Sequence, residues 1–133
     1  MKLLLDTHVW IWSQETPDAL GPRTRAALRS AANDLHVSSI STVEIARLIA
    51  LDRLRIAMDL GAWVDESLRL LGARTVPITH EIAIEAYRLP EPFHRDPADR
   101  LLVAAARLLG LRLVTADAAI LRYRRVQTTD ARK

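Results

Sequence analysis

Lys2-Leu3-Leu4-Leu5-Asp6-Thr7 is the stretch that decides how the chain is read. Its short, continuous apolar run suits a strand covered on both faces, since a half-exposed strand would alternate apolar and polar positions. An acid follows where that strand hands over to the next element, a short helix expected over residues 7–13. The same succession of apolar run and amphipathic stretch continues along the chain. Residues 35–38, 75–78 and 111–114 read as further strands, with a last extended piece at 126–128. Helices are expected over 22–32, 41–51, 60–71, 80–89, 97–109 and 118–123, with Gly72 and Gly110 as stops, while 130–133 reads as a frayed tail. The alternation predicts an α/β fold whose mainly parallel central sheet of about four to five strands is flanked by helices.

At 133 residues the chain fits one domain, read as spanning 1–133, and such a domain buries roughly two-thirds of its unfolded surface. Half the residues are hydrophobic and 26% charged, which excludes a disordered composition. There is no cysteine, so disulfides, thiolate zinc sites and a cysteine nucleophile are excluded. Any metal must be held by oxygen or imidazole. The leucine run is too short for a signal peptide or a membrane span, and a cytoplasmic protein without membrane contact is expected. Net charge is +3, with seventeen arginines against two lysines. Arginine's rigid fork suits phosphate, although these arginines are spread over the whole chain and suit solvated helix faces equally well.

Four acids stand out by position. Asp6 and Asp117 follow the first and fourth strands, and Glu44 and Asp99 lie in the first turns of separate helices. In open parallel sheets ligands bind outside the carboxyl ends of the strands, so the four can converge there. Each also has a helix-start explanation. Ser41-Thr42-Val43-Glu44 matches a capping box, Asp96-Pro97-Ala98-Asp99 is a good helix start with Asp96 as N-cap, and Asp6 and Asp117 suit N-caps too. Singly, capping is the better reading; together, their shared edge favours a site. Clustered carboxylates repel one another, and a divalent cation removes that conflict. Oxygen ligands favour hard ions, magnesium above all with manganese as substitute, and such an ion activates water against a phosphodiester.

Leu3-Leu4-Leu5-Asp6-Thr7, Ser41-Thr42-Val43-Glu44-Ile45, the run from His94-Arg95-Asp96-Pro97 through Asp99-Arg100 to Ala104, and Leu113-Val114-Thr115-Ala116-Asp117 resemble the signatures of PIN-domain proteins of the VapC toxin type. Each motif alone is weak. Their order and spacing over nearly the whole chain carry the resemblance. It implies a PIN-like three-layer fold and a magnesium- or manganese-dependent endoribonuclease, the toxin of a toxin-antitoxin pair held inactive by a cognate antitoxin. It also implies a homodimer with a shared basic groove, and an apolar groove for the antitoxin's helix. On that pattern Asp6 and Asp99 are direct metal ligands, and Glu44 and Asp117 act directly or through water. Thr115, and with it Thr7, supports the site from behind.

Asp96 is read first as the cap of its helix and second as an extra acid in the site. His8, His36, His80 and His94 show no metal-ligand spacing, so an imidazole site is not expected. His94, Arg95 and Arg100 flank the acids as candidate RNA contacts, with His94 equally suited to a hydrogen bond in its proline-rich loop and Arg100 to a pair with Asp96 at i, i+4. Trp10, Trp12 and Trp63 suit either core or interface. A ribonuclease H-like nuclease would place antiparallel strands early in the chain. A receiver-type binding module would want a lysine near its acids, whereas the two lysines lie at positions 2 and 133. A PIN-fold enzyme of RNA processing that is not a toxin stays open.

Overall fold

The computed structural model describes residues 1–133. Five strands form one sheet: β1 (Lys2–Leu5), β2 (Asp34–Ser38), β3 (Arg74–Val76), β4 (Arg112–Thr115) and β5 (Thr128–Asp130), in the order β3-β2-β1-β4-β5. Every neighbouring pair is parallel, which excludes the antiparallel start of a ribonuclease H-like chain. The order itself differs from the 2-1-3-4-5 of receiver modules. The helices are α1 (Thr7–Glu15), α2 (Pro22–Arg29), α3 (Ser39–Ala50), α4 (Leu60–Leu71), α5 (His80–Ala86), α6 (Pro97–Leu109) and α7 (Ala118–Arg122). None of them is long and apolar enough to cross a membrane.

Period-two alternation in the strands sorts the core into two layers. Leu4 and Leu113 point to one face, against Ile82 of α5 and Leu102, Val103 and Ala106 of α6. Leu3, Leu5, Leu35, Val37 and Val114 point to the other, against Val9 and Trp10 of α1, Ile45 of α3 and Trp63 of α4. The expected three-layer arrangement is therefore present. Trp10 and Trp63 are core residues whose indole N–H groups reach Ser67 Oγ (2.9 Å) and Glu15 Oε2 (3.1 Å).

Helices α4 and α6 end at Gly72 and Gly110, both left-handed (φ 63° and 66°), as their sequence positions predict. Helix α5 ends at Ala86, short of the expected 89, and β5 lies at 128–130 in place of 126–128; three further expectations need correction. Helix α3 begins before Ser41, because β2 runs into it without a loop and Ser38 Oγ accepts the N–H of Ile40 (3.1 Å). The capping box therefore does not form, and Glu44 lies in the second turn, free to face elsewhere. Helix α2 stops at Arg29, where Ser30 Oγ takes the N–H of Ala32 (3.2 Å) in a local turn.

The third correction concerns residues 130–133, which are docked instead of frayed. Gly21 and Pro22 give the start of α2 no side-chain cap, so its free N–H groups need other acceptors. Ala131 O accepts from Gly21 N (2.9 Å), and Lys133 O accepts from Arg23 N (3.0 Å) and Thr24 N (3.2 Å). The backbones approach so closely that a Cβ on Gly21 would fall 2.1 Å from Lys133 O. Gly21→Ala is expected to lower stability by about 1–3 kcal/mol through forced displacement. At Gly61 a Cβ would meet only the tip of the Asp59 side chain, so Gly61→Ala should be neutral or mildly stabilising. Urea unfolding midpoints compare the two, and equal midpoints would refute the docking.

Candidate active site

The sheet order reverses between β1 and β4, the switch point where α/β sheets place their ligands. Asp6 ends β1 there as the N-cap of α1, and both its oxygens are engaged. Oδ1 accepts from Thr7 N (2.7 Å) and Oδ2 from Thr115 Oγ1 (2.6 Å), at the end of β4. Thr115 Oγ1 in turn accepts the N–H of Asp117 (3.0 Å), fixing the turn that aims Asp117. Thr7 Oγ1 is bonded to Glu44 Oε1 and lies 2.8 Å from Ser41 Oγ. With a single proton, Thr7 donates to the carboxylate and accepts from the serine.

Asp6, Glu44, Asp96, Asp99 and Asp117 together line one cleft of about 350 Å³. Capping and clustering turn out to be compatible. Asp117 Oδ1 caps α7 through Ile120 N (3.0 Å) and Asp96 Oδ1 caps α6 through Asp99 N (3.1 Å). The positive ends of α1, α6 and α7 thus face the acids and offset part of their repulsion. His8 and Trp12 complete the wall, with rings 5.9 Å apart. Their i, i+4 spacing in a helix opened by Asp6 was the available signal for both.

None of the five acids forms an ion pair with lysine or arginine. Burial, and then Asp6, Asp96, Asp117 and Glu44, push the Asp99 carboxyl up to about 8. Asp6 and Glu44 are also raised, chiefly by burial. Such a site strongly favours a bound cation.

The histidine reading changes in the structure. His94 Nε2 lies 3.1 Å from Asp99 Oδ2 but is not aimed along it, and this buried nitrogen has no hydrogen-bond partner. Donor atoms of His94, Asp99 and Asp117 all fall within 4.8 Å of one another. An uncompensated set of carboxylates beside an orphaned imidazole nitrogen fits a divalent ion. Asp99 and Asp117 would supply oxygen to it, with His94 as a nitrogen neighbour and Asp6 on the same cleft wall. Five residues from loop to first turn is no helical spacing, which is why the sequence pattern missed this contact.

Arg100 is corrected in the opposite direction. It is only 7% exposed and turns into its own loop. Its guanidinium donates to His94 O (3.1 Å), Ala86 O (3.0 Å), Phe93 O (3.3 Å) and Glu91 Oε1 (3.0 Å). It therefore neither pairs with Asp96 nor reaches a substrate phosphate. It holds the backbone that carries His94 toward Asp99. Arg95 is exposed, next in sequence to Asp96 of the cleft wall.

The sequence pattern of the PIN domain matches residues 3–126. The chain belongs to the PIN-domain family. Within that family it is of the VapC type: it is 37% identical over 122 residues, 92% of each chain, to Ribonuclease VapC22 of Mycobacterium tuberculosis (strain ATCC 25618 / H37Rv). Among solved structures, VapBC2 from Rickettsia felis bound to a DNA fragment from its promoter has TM-score 0.71 at 15% identity, covering 97% of this chain and 98% of that one. FitAcB from Neisseria gonorrhoeae has TM-score 0.64 at 21% identity, covering 98% of each chain. These two share the PIN fold seen here, including its α/β layers.

Two measurements test this PIN site. Thr115→Val keeps the shape but strands Asp6 Oδ2, and should weaken magnesium or manganese binding by about 10–100-fold in calorimetric titration; unchanged affinity would remove Thr115 from the site. The second concerns protons. Because the folded Asp99 pKa of about 8 lies above the ordinary 3.8, the metal-free native state binds this proton more tightly than the unfolded chain. The associated stability is complete below pH 3.8 and is lost as pH rises through about 8. In EDTA, Asp99→Asn should therefore gain melting temperature over wild type steadily across that window. A constant difference between the two proteins would contradict the shift.

Proposed function

We propose that this chain is a divalent-metal-dependent endoribonuclease, the toxin of a toxin-antitoxin pair. The observation that carries the reading is the group of five carboxylates without a cationic partner at the switch point of the sheet. Its kinship with a VapC ribonuclease supplies the substrate class. Asp6, Glu44, Asp99 and Asp117 are the acidic set, with magnesium as the ion and manganese as its substitute. The chemistry such an ion supplies when bound is Lewis-acid activation of water and compensation of charge on phosphate.

The chain's own residues do the rest. Thr115 and Thr7 N lock Asp6 in one orientation, Thr7 holds Glu44, and the caps hold Asp96 and Asp117, so that little reorganisation remains when a phosphate arrives. In the hydrolysis a water oxygen bonds to phosphorus, the bond to the leaving ribose oxygen breaks, and that oxygen takes up a proton. A cognate antitoxin restrains the enzyme, and residues 1–133 act as one domain, in a homodimer, in the cytoplasm. The solved structures that it resembles in fold include a toxin-antitoxin complex from Klebsiella pneumoniae, which favours this partner.

The test is cleavage of a labelled total-RNA pool with magnesium, with manganese and with EDTA, alongside Asp6→Asn and Asp99→Asn. Metal-dependent cutting that either variant lowers by a factor on the order of 10² or more is expected. A wild type that cuts with no metal, or variants that cut as well as wild type, would overturn the assignment. Growth arrest on expression, relieved by the co-expressed partner, separates a toxin from an RNA-processing enzyme.

A further inference from the structure

A second cavity, of about 540 Å³, lies near the acidic cleft. His94 stands between them: its ring nitrogen lies 3.1 Å from Asp99 of the cleft wall, and it lines the new cavity with Phe93, Arg122, Tyr123, Arg124 and Arg125. The three arginines are exposed and none has an acidic partner. One acid, Glu91, does line this cavity, but its carboxylate is already bonded to the buried Arg100 (3.0 Å) and to Phe93 N (3.0 Å). Its charge is offset locally, and three positive charges are left over.

The cavity is also built firmly. Tyr123 OH donates to Pro90 O (2.6 Å), tying the segment after α7 to the proline loop. Phe93 packs on the Tyr123 ring (centroids 4.4 Å) and edge-on to His94 (4.6 Å), giving the floor an aromatic face. An uncompensated arginine rim over an aromatic floor is the combination that holds single-stranded nucleic acid. Its nearness to the cleft, across the 3.1 Å approach of His94 to Asp99, gives it a direction.

Resting on the ribonuclease reading above, we infer that this cavity is a strand-binding subsite for RNA. The phosphates next to the scissile one lie along Arg122, Arg124 and Arg125, with a base against Phe93. The acidic cleft repels the polyanion that it must cut, and this neighbouring positive patch anchors the strand beside it. Phosphate contacts of this kind set register and affinity and leave base choice to other groups.

The experiment compares wild type with an Arg122→Ser/Arg124→Ser/Arg125→Ser variant, all three positions being exposed and outside the acidic set. Binding of a fluorescein-labelled single-stranded RNA is followed by anisotropy in EDTA over a salt series, so no cleavage is required. The variant should bind on the order of tenfold more weakly, with a salt slope reduced by about 0.7 for each phosphate that arginine no longer neutralises. With magnesium, the KM for that long strand should rise while kcat, and the cutting of a dinucleotide spanning only the cleft, stay unchanged. Equal affinity and salt slope overturn the subsite whether or not the protein cuts. A wild type that binds RNA through these arginines but cuts nothing fails the nuclease reading alone. Weakened binding of a polyglutamate peptide, with RNA binding intact, would assign the cavity to an acidic protein partner and overturn the inference.

Discussion

The hydrogen bond from Thr115 Oγ1 to Asp6 Oδ2, 2.6 Å long and fully enclosed, joins the end of β4 to the end of β1 at the point where strand order reverses. Much of the site hangs from it. The same hydroxyl accepts the N–H of Asp117, so one threonine sets the orientation of two acids on two strands. Removing Asp6 from water is costly, as the upward push on its carboxyl shows, and two donors aimed at its two oxygens are what keep it in place. The sheet in turn depends on this junction being polar and closed. Leu5 and Val114 pack directly behind it, and the backbone N–H of Asp6 continues the ladder onto Val114 O (3.0 Å).

Helix starts and acidic clefts can draw on the same side chains, and Asp6, Asp96 and Asp117 serve here in both roles. An aspartate at an N-cap commits one oxygen to the backbone and leaves the other free to face the cleft. Asp96 and Asp117 both do so through Oδ1. The helices thereby hold the carboxylates rigidly while packing like charges together. Stability is given up at the one place where binding can restore it, and a ligand bound only by the native state does so by mass action.

What was legible in the sequence follows from this double use. Strand ends and helix starts carry local signals, so Asp6, Asp96, Asp99 and Asp117 could be placed from apolar runs, Pro97 and the two glycine stops. Glu44, expected in the first turn of its helix, lies in the second, and its partner Thr7 lies 37 residues away. Arg100 looked like a surface arginine because helical spacing offered it Asp96. Three acceptors in the loop and one at the end of α5 outcompeted that single exposed pair. The loop that carries His94 is held by Arg100, and residues 130–133 are held both by the uncapped start of α2 and by Ala131 N on Thr115 O (2.8 Å). The misses at Glu44, Arg100 and residues 130–133 turn on partners outside a window of neighbouring residues, whereas the ends of α2 and α3 turn on local serine contacts.

The bond between Thr115 and Asp6 spans 109 positions of the chain. A parallel sheet with its first strand at the centre cannot close until its fourth has been made, and pairings of such separation form late. During synthesis, a nascent chain that has not yet released residues 112–117 has the first acid but neither the strand that fixes it nor the last acid of the set. Partial products therefore lack the assembled cleft, and the acids come together only when the domain is nearly whole. The topology defers a site of this charge density to the last steps of folding.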